Sequence, residues 1–157
     1  MTDSLTTRRR ARALALQILF GLDDGVDPGV VGDAVATWGD RFELEVDVDS
    51  LALAKTLVEA AAADDDRRGR IDEVIAAGSR NWRLERMARV DRNILRLAVG
   101  ELLHTPATPV RVVINEAVEL AKRFGTAESS AFVNGVLDRI AANLGRRDEG
   151  GPAAATP

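Results

Sequence analysis

At 157 residues the chain can form one domain, or two apposed halves that share a core. Apolar residues make up 46%, but four Phe, two Trp and no Tyr leave the interior to Ala, Val and Leu, which suits helix packing better than a β-sandwich. The absence of cysteine excludes disulfides and thiolate chemistry, and a single histidine, His104, leaves little for a metal site or a Ser-His-Asp triad. The net charge of −4 opposes indiscriminate binding to phosphates, so a local basic patch needs a second source of affinity, such as a protein partner. No apolar run approaches the ~18 residues of a membrane span, and no signal-peptide pattern follows the basic N-terminus. A cytoplasmic protein is expected.

In chain order, a first helix is expected from Thr6 or Thr7 to Leu22, ending at Asp23-Asp24-Gly25. Its positions 11, 14, 15, 18 and 22 form a core stripe, while Leu16 and Phe20 lie nearly opposite and Leu19 on a flank. Such a helix is either buried between the chain's own layers or covered by a partner. Arg8, Arg9, Arg10 and Arg12 cluster at its start, as a nucleic-acid contact or as a solvated terminus.

Asp27-Pro28 offers a cap and first residue for a short helix to Trp38. Residues 42–49 alternate apolar and acidic but have no partner strand, so an extended acidic loop is expected. From Ser50 to about Ala77 the composition is helical, with a break or kink at Asp64-Asp65-Asp66 and Gly69. The acid triplet points in different directions on a helix and reads as a solvated kink rather than a metal site.

A long helix follows from near Val90 to Leu103. Glu101 falls on its apolar face with Val90, Ile94 and Leu97, as a structural acceptor, for a helix N-terminus for example, rather than a catalytic group. Thr108 and Pro109 open the next helix as cap and first residue, and Gly125 closes it. There Val110, Val113, Ile114, Ala117, Leu120, Ala121 and Phe124 face inward. Arg111, Asn115, Glu116, Glu119, Lys122 and Arg123 face outward, with Glu119 and Arg123 spaced to pair.

The last helix runs from Thr126 or Glu128 to Leu144, with Val133, Leu137, Ile140 and Leu144 inward. Phe132 falls on its polar side with Glu128 and Arg139, and Gly135 leaves room beside it. This suits stacking on an unpaired base, although packing against a neighbouring helix fits the pattern equally. About six or seven helices with short connections make an all-α bundle. One domain over residues 1–145 and a disordered tail over 146–157 are expected. Nucleotide-binding glycine loops are missing, and nothing proposes an enzyme, a cofactor or a metal.

Three regions carry a resemblance. Val113-Ile-Asn-Glu-Ala-Val-Glu-Leu-Ala-Lys122 with Phe124-Gly125, and Phe132-Val-Asn-Gly-Val-Leu-Asp138, resemble the C-terminal signature of the NusB transcription antitermination family. Trp82-Arg-Leu-Glu-Arg86, Val90-Asp-Arg-Asn-Ile-Leu-Arg-Leu97 and Glu101-Leu102 are similar to its middle segment. Arg8-Arg-Arg-Ala-Arg12 with Ala15, Gln17, Leu19 and Phe20 looks like its first helix. Residues 23–78 match only as generic helices. The resemblance implies a NusB-like all-α fold of two apposed small helical bundles. It also implies a non-catalytic factor that binds single-stranded boxA-like RNA of nascent rRNA with ribosomal protein NusE, within the transcription elongation complex. The same helical domain begins some RNA cytosine methyltransferases; the stand-alone factor is expected because the chain ends where their catalytic domain would start.

Carried over by position, the resemblance gives an RNA side of Arg8, Arg9, Arg10, Arg12, Gln17, Glu128, Ser129 and Phe132. It gives a NusE side of Phe20, Glu85 and Asp91. Ala131 stands where the family often has a basic or polar residue, and Ser79 where some members carry an aromatic. The alternative is a protein-interaction module on the same fold that has lost RNA binding.

Overall fold

The computed structural model describes residues 4–22, 48–62, 65–80 and 82–146. These form six α-helices and one 3-10 turn, with no strand among them: α1 (Ser4–Leu22), α2 (Val48–Ala62), α3 (Asp65–Gly78), the 3-10 turn Leu84–Arg86, α4 (Arg89–His104), α5 (Val110–Phe124) and α6 (Ser129–Asn143). The expected helix from Asp27 to Trp38, acidic residues 42–47 and tail residues 147–157 lie outside the described residues.

The long amphipathic patterns became helices close to their expected bounds, and the differences have local causes. Helix α2 starts at Val48, so the last two residues of the alternating segment are helical rather than extended. Asp49 sits in the first turn, where a carboxylate complements the helix dipole, and buried Ser50 donates to the Thr7 carbonyl of α1 at 3.4 Å. Gly69, where a break or kink was expected, lies inside α3 with Asp65 and Asp66, and Asp64 lies outside the described residues. Pro109 rather than Thr108 is the N-cap of α5, and its carbonyl accepts from the Val113 N–H.

Helix α4 is the hub, packed against α1, α2, α3, α5 and α6. It is buried on most sides because Ile94, Leu95, Leu97, Ala98, Val99 and Leu102 all reach the core. Gly100 lets it approach α2 closely: a Cβ there would lie 3.2 Å from the Ala61 backbone. Arg96 of α4 fastens α3 by donating twice to Asp72, at 2.8 and 3.1 Å.

The end of α6 is set by Gly145, whose φ of +67° is left-handed and costs glycine little. The Gly145 N–H reaches the Ala142 carbonyl, and the Arg146 N–H reaches that of Ala141, the bond pair of a Schellman cap. Arg146, expected in the tail, instead donates to the carbonyls of Leu102 and Thr108 and ties this end to the α4–α5 connection.

Candidate nucleic-acid and partner interface

The four arginines of α1 divide into two kinds. Arg8, Arg9 and Arg10 are exposed, whereas Arg12 is 6% exposed. Four residues before buried Leu16, Arg12 lies on the face of α1 that meets α4. Its Nε donates to Glu101 Oε1 at 2.7 Å and its Nη2 to Oε2 at 3.0 Å. Glu101 is therefore a structural acceptor, and its donor is a guanidinium rather than a helix N-terminus. This removes Arg12 from the surface where phosphates could be met.

Arg9 is also engaged. Its Nε lies 3.1 Å from Glu116 Oε1, with side chains 58% and 9% exposed respectively. Glu116 was expected on the outer face of α5, but it is buried, with the Arg9 side chain of α1 reaching it. Arg9, Arg12, Glu116, Glu119 and Arg123 line a cleft of about 170 Å³ here. Within it Glu119 pairs with Lys122 at 3.5 Å, and Arg123 instead lies over the Phe124 ring.

Further along α1, Gln17 is half-buried, and its Oε1 is buried without a hydrogen-bond partner. Leu16 and Leu19 are buried, while Phe20 is only partly so. The Arg89 guanidinium sits 5.2 Å from the Phe20 ring centroid, within cation–π range. That contact brings Phe20 to the start of α4, which carries Asp91, and the preceding 3-10 turn exposes Glu85. The three expected partner residues thus gather around residues 84–91. Asp91 is 9% exposed with Oδ1 unpartnered. It faces a pocket of about 240 Å³ shared with Met87, Glu128, Phe132 and Trp82.

At the start of α6, Glu128 is an exposed N-cap residue with no side-chain cap bond. Ser129 is 2% exposed, and its Oγ accepts the Thr126 N–H at 2.9 Å. Gly125 makes this turn possible, because a Cβ there would come within 2.6 Å of Ser129. Ser129 is thereby a structural residue of the α5–α6 turn, not an open RNA contact.

Phe132 is partly buried against the core and meets Trp82 edge-on, with centroids 6.0 Å apart and planes at 77°. Sequence reasoning did not single out Trp82 as a site residue. The signal was available: a tryptophan just past a helix end, interleaved with Arg80, Arg83 and Arg86. The two rings also border a second pocket, of about 430 Å³, with Arg80, Ala131, Gly135 and Arg139. Neither ring pocket shares a lining residue with the Arg9 cleft. The basic cluster and Phe132 thus border different pockets.

The NusB family model matches residues 9–142. The chain belongs to the NusB family. The transcription antitermination protein NusB of Anaeromyxobacter dehalogenans is 50% identical over 144 residues, covering 89% of this chain and 94% of that protein. NusB of Sorangium cellulosum is 50% identical over 143 residues, covering 90% and 96%. Among solved structures, T. maritima NusB superposes with a TM-score of 0.72 at 33% identity, over 90% of this chain and 93% of its own. A chain from the crystal structure of antitermination factors NusB and NusE with dsRNA gives 0.75 at 28% identity, over 87% and 97%. Membership makes this chain a NusB transcription antitermination factor rather than an enzyme. Among the described residues, no helix is long and apolar enough to cross a membrane, and no acid, histidine or cysteine group could hold a metal.

Proposed function

We propose that this chain binds boxA-type single-stranded RNA of nascent rRNA together with ribosomal protein NusE, as a cytoplasmic component of the transcription elongation complex. The observation that carries this reading is the likeness over 87% of the chain to a member of a NusB–NusE–dsRNA assembly. The surfaces described above support it in parts. Exposed Arg8, Arg9 and Arg10 suit phosphates, with Gln17 beside them on α1. Phe132, with Glu128 near it, suits a base, since a partly open ring can stack where a duplex cannot present one. Phe20, Glu85 and Asp91 form the NusE side.

The adjacency of the Phe132 and Asp91 surfaces gives the pairing of ligands a physical basis. Asp91 and Phe132 line one pocket, so RNA and protein would meet there. A chain of net charge −4 gains from the second ligand the affinity that its own charge opposes. A second reading, a protein-interaction module without RNA binding, is favoured by Arg9 and Arg12 already having carboxylate partners.

The deciding experiment measures boxA RNA affinity with and without NusE across a salt series, using a duplex of the same sequence as competitor. Expected is salt-dependent binding, tighter with NusE and tighter to the single strand. Binding of NusE with no RNA affinity under either condition establishes the second reading. Preference for the duplex overturns the single-strand assignment.

A further inference from the structure

We infer that the Trp82 indole is a nucleobase-stacking platform, an RNA-contact residue additional to those proposed above; the inference rests on the RNA-binding reading. Trp82 is 57% exposed and, with Val48, is one of two large apolar side chains left open among the described residues. A solitary exposed apolar residue is ordinary on a protein surface. This one is held in place.

The backbone N–H of Trp82 donates to the Ser79 carbonyl at 2.7 Å, and the Ser79 hydroxyl donates to the Trp82 carbonyl at 3.1 Å. Ser79 itself is fully buried, so the backbone at Trp82 is anchored to the core. The edge-on contact with Phe132 fixes the ring from its other side. An indole oriented in advance loses little freedom when a base stacks on it, which is how preorganisation raises affinity.

The surroundings select the ligand. The larger pocket bordered by Trp82 is lined by two guanidinium groups, Arg80 and Arg139, and by no carboxylate. Arg139 Nε donates to the Gly78 carbonyl at 2.7 Å, which steers the guanidinium and leaves its Nη groups for a phosphate. Ala131 is short, and at Gly135 an added Cβ would meet only Arg139, at 4.0 Å. A flat group can therefore enter beside the ring. A ligand with planar apolar faces and regular negative charge fits this cleft, and a single-stranded nucleic acid has both. A protein segment would need acidic residues and an aromatic together. Phe132, more buried, then acts as the wall that holds Trp82 as well as a ring bordering the neighbouring pocket.

Replacing Trp38 by Phe leaves Trp82 as the sole tryptophan, since the chain has two. Purified protein in that background is first saturated with NusE and then titrated with single-stranded boxA oligoribonucleotide, reading indole emission. Expected is quenching that saturates with binding. Trp82→Ala should weaken RNA binding about five- to hundred-fold with the salt slope unchanged, because no charge is lost, and with thermal stability retained. Trp82→Phe should restore much of the affinity.

A triple Arg8, Arg9 and Arg10 alanine variant separates the two failures. If that variant loses RNA while Trp82→Ala, followed by fluorescence anisotropy of a labelled RNA, binds like the parent, the platform is wrong and the RNA reading stands. If Trp82→Ala weakens NusE binding and spares RNA, the ring belongs to the protein interface and the inference is overturned. If the parent binds no RNA with NusE present, both fall.

Discussion

Arg12 and Glu101 stand 89 residues apart in sequence and meet through two parallel hydrogen bonds inside the protein. Their side chains are only 7% and 3% exposed, so the pair joins α1, the helix that displays the other arginines, to the hub helix α4. Desolvation offsets much of the attraction in such a pair, and its net contribution to stability is small. Removing one partner is different, because the other charge stays buried and uncompensated. Arg12→Ala or Glu101→Ala should each cost about 3–5 kcal/mol, whereas the paired replacement Arg12→Met with Glu101→Leu should recover most of the loss. Urea denaturation measures this directly. An Arg12→Ala protein with parental stability and lost RNA affinity would return Arg12 to the RNA surface.

The Arg9–Glu116 pair sets a competition. Glu116 is mostly buried while Arg9 is open to solvent, so a phosphate that draws Arg9 away leaves a carboxylate poorly compensated. Arg8→Ala and Arg10→Ala should each flatten the dependence of log affinity on log salt by about 0.7 for a single strand, and Arg8→Ala should do so without a stability change. Arg9→Ala should flatten it too but also destabilise by about 1 kcal/mol, a figure kept small by the exposure of Arg9. Glu116→Gln should strengthen RNA binding by releasing Arg9. Unchanged affinity in Glu116→Gln, measured in the same salt series, would show that the carboxylate does not compete.

The helices were legible because their apolar positions recur with a 3.6-residue period, and the ends were legible where one residue decides them. Gly145 marks the end of α6 through a left-handed φ that few other residues tolerate, and Glu101 stood out by lying on an apolar face. Its donor could not be read, because the meeting of positions 12 and 101 is a product of tertiary packing. The same limit hid the burial of Glu116, which a helical wheel of α5 places outward but which is buried and paired with Arg9 of α1. Ser129 misled for a local reason: a hydroxyl near a helix start can face a ligand or bond its own turn, and only the close approach at Gly125 decides between them. Trp82 was passed over because it lies between helices, where periodicity assigns no face.

Phe20 sits partly buried under the Arg89 guanidinium. Truncating a fully buried Phe costs about 3–5 kcal/mol, and a half-covered ring should cost less, about 1–2 kcal/mol on that scale. Phe20→Ala should therefore remain folded at room temperature and show at least tenfold weaker NusE binding by titration calorimetry, with RNA binding in the absence of NusE unchanged. A loss of stability at the upper end of the core range, with NusE affinity retained, would place Phe20 in the core alone.

Phe132 has two tasks, packing against the core and meeting Trp82 edge-on, and two substitutions separate them. Phe132→Ala removes both the apolar volume and the ring. It should destabilise by about 1–3 kcal/mol, below the full-burial range, and weaken RNA binding several-fold through the lost ring contacts. Phe132→Leu keeps most of the volume, so stability should stay within about 1.5 kcal/mol of the parent, yet it carries no π-face and should bind RNA nearly as weakly as the alanine variant. The salt slope should stay parental in both, because no charge changes. Thermal melts paired with RNA titrations read the two effects separately. Parental RNA affinity in a stable Phe132→Leu protein would show that Phe132 contributes packing and nothing aromatic to the RNA surface.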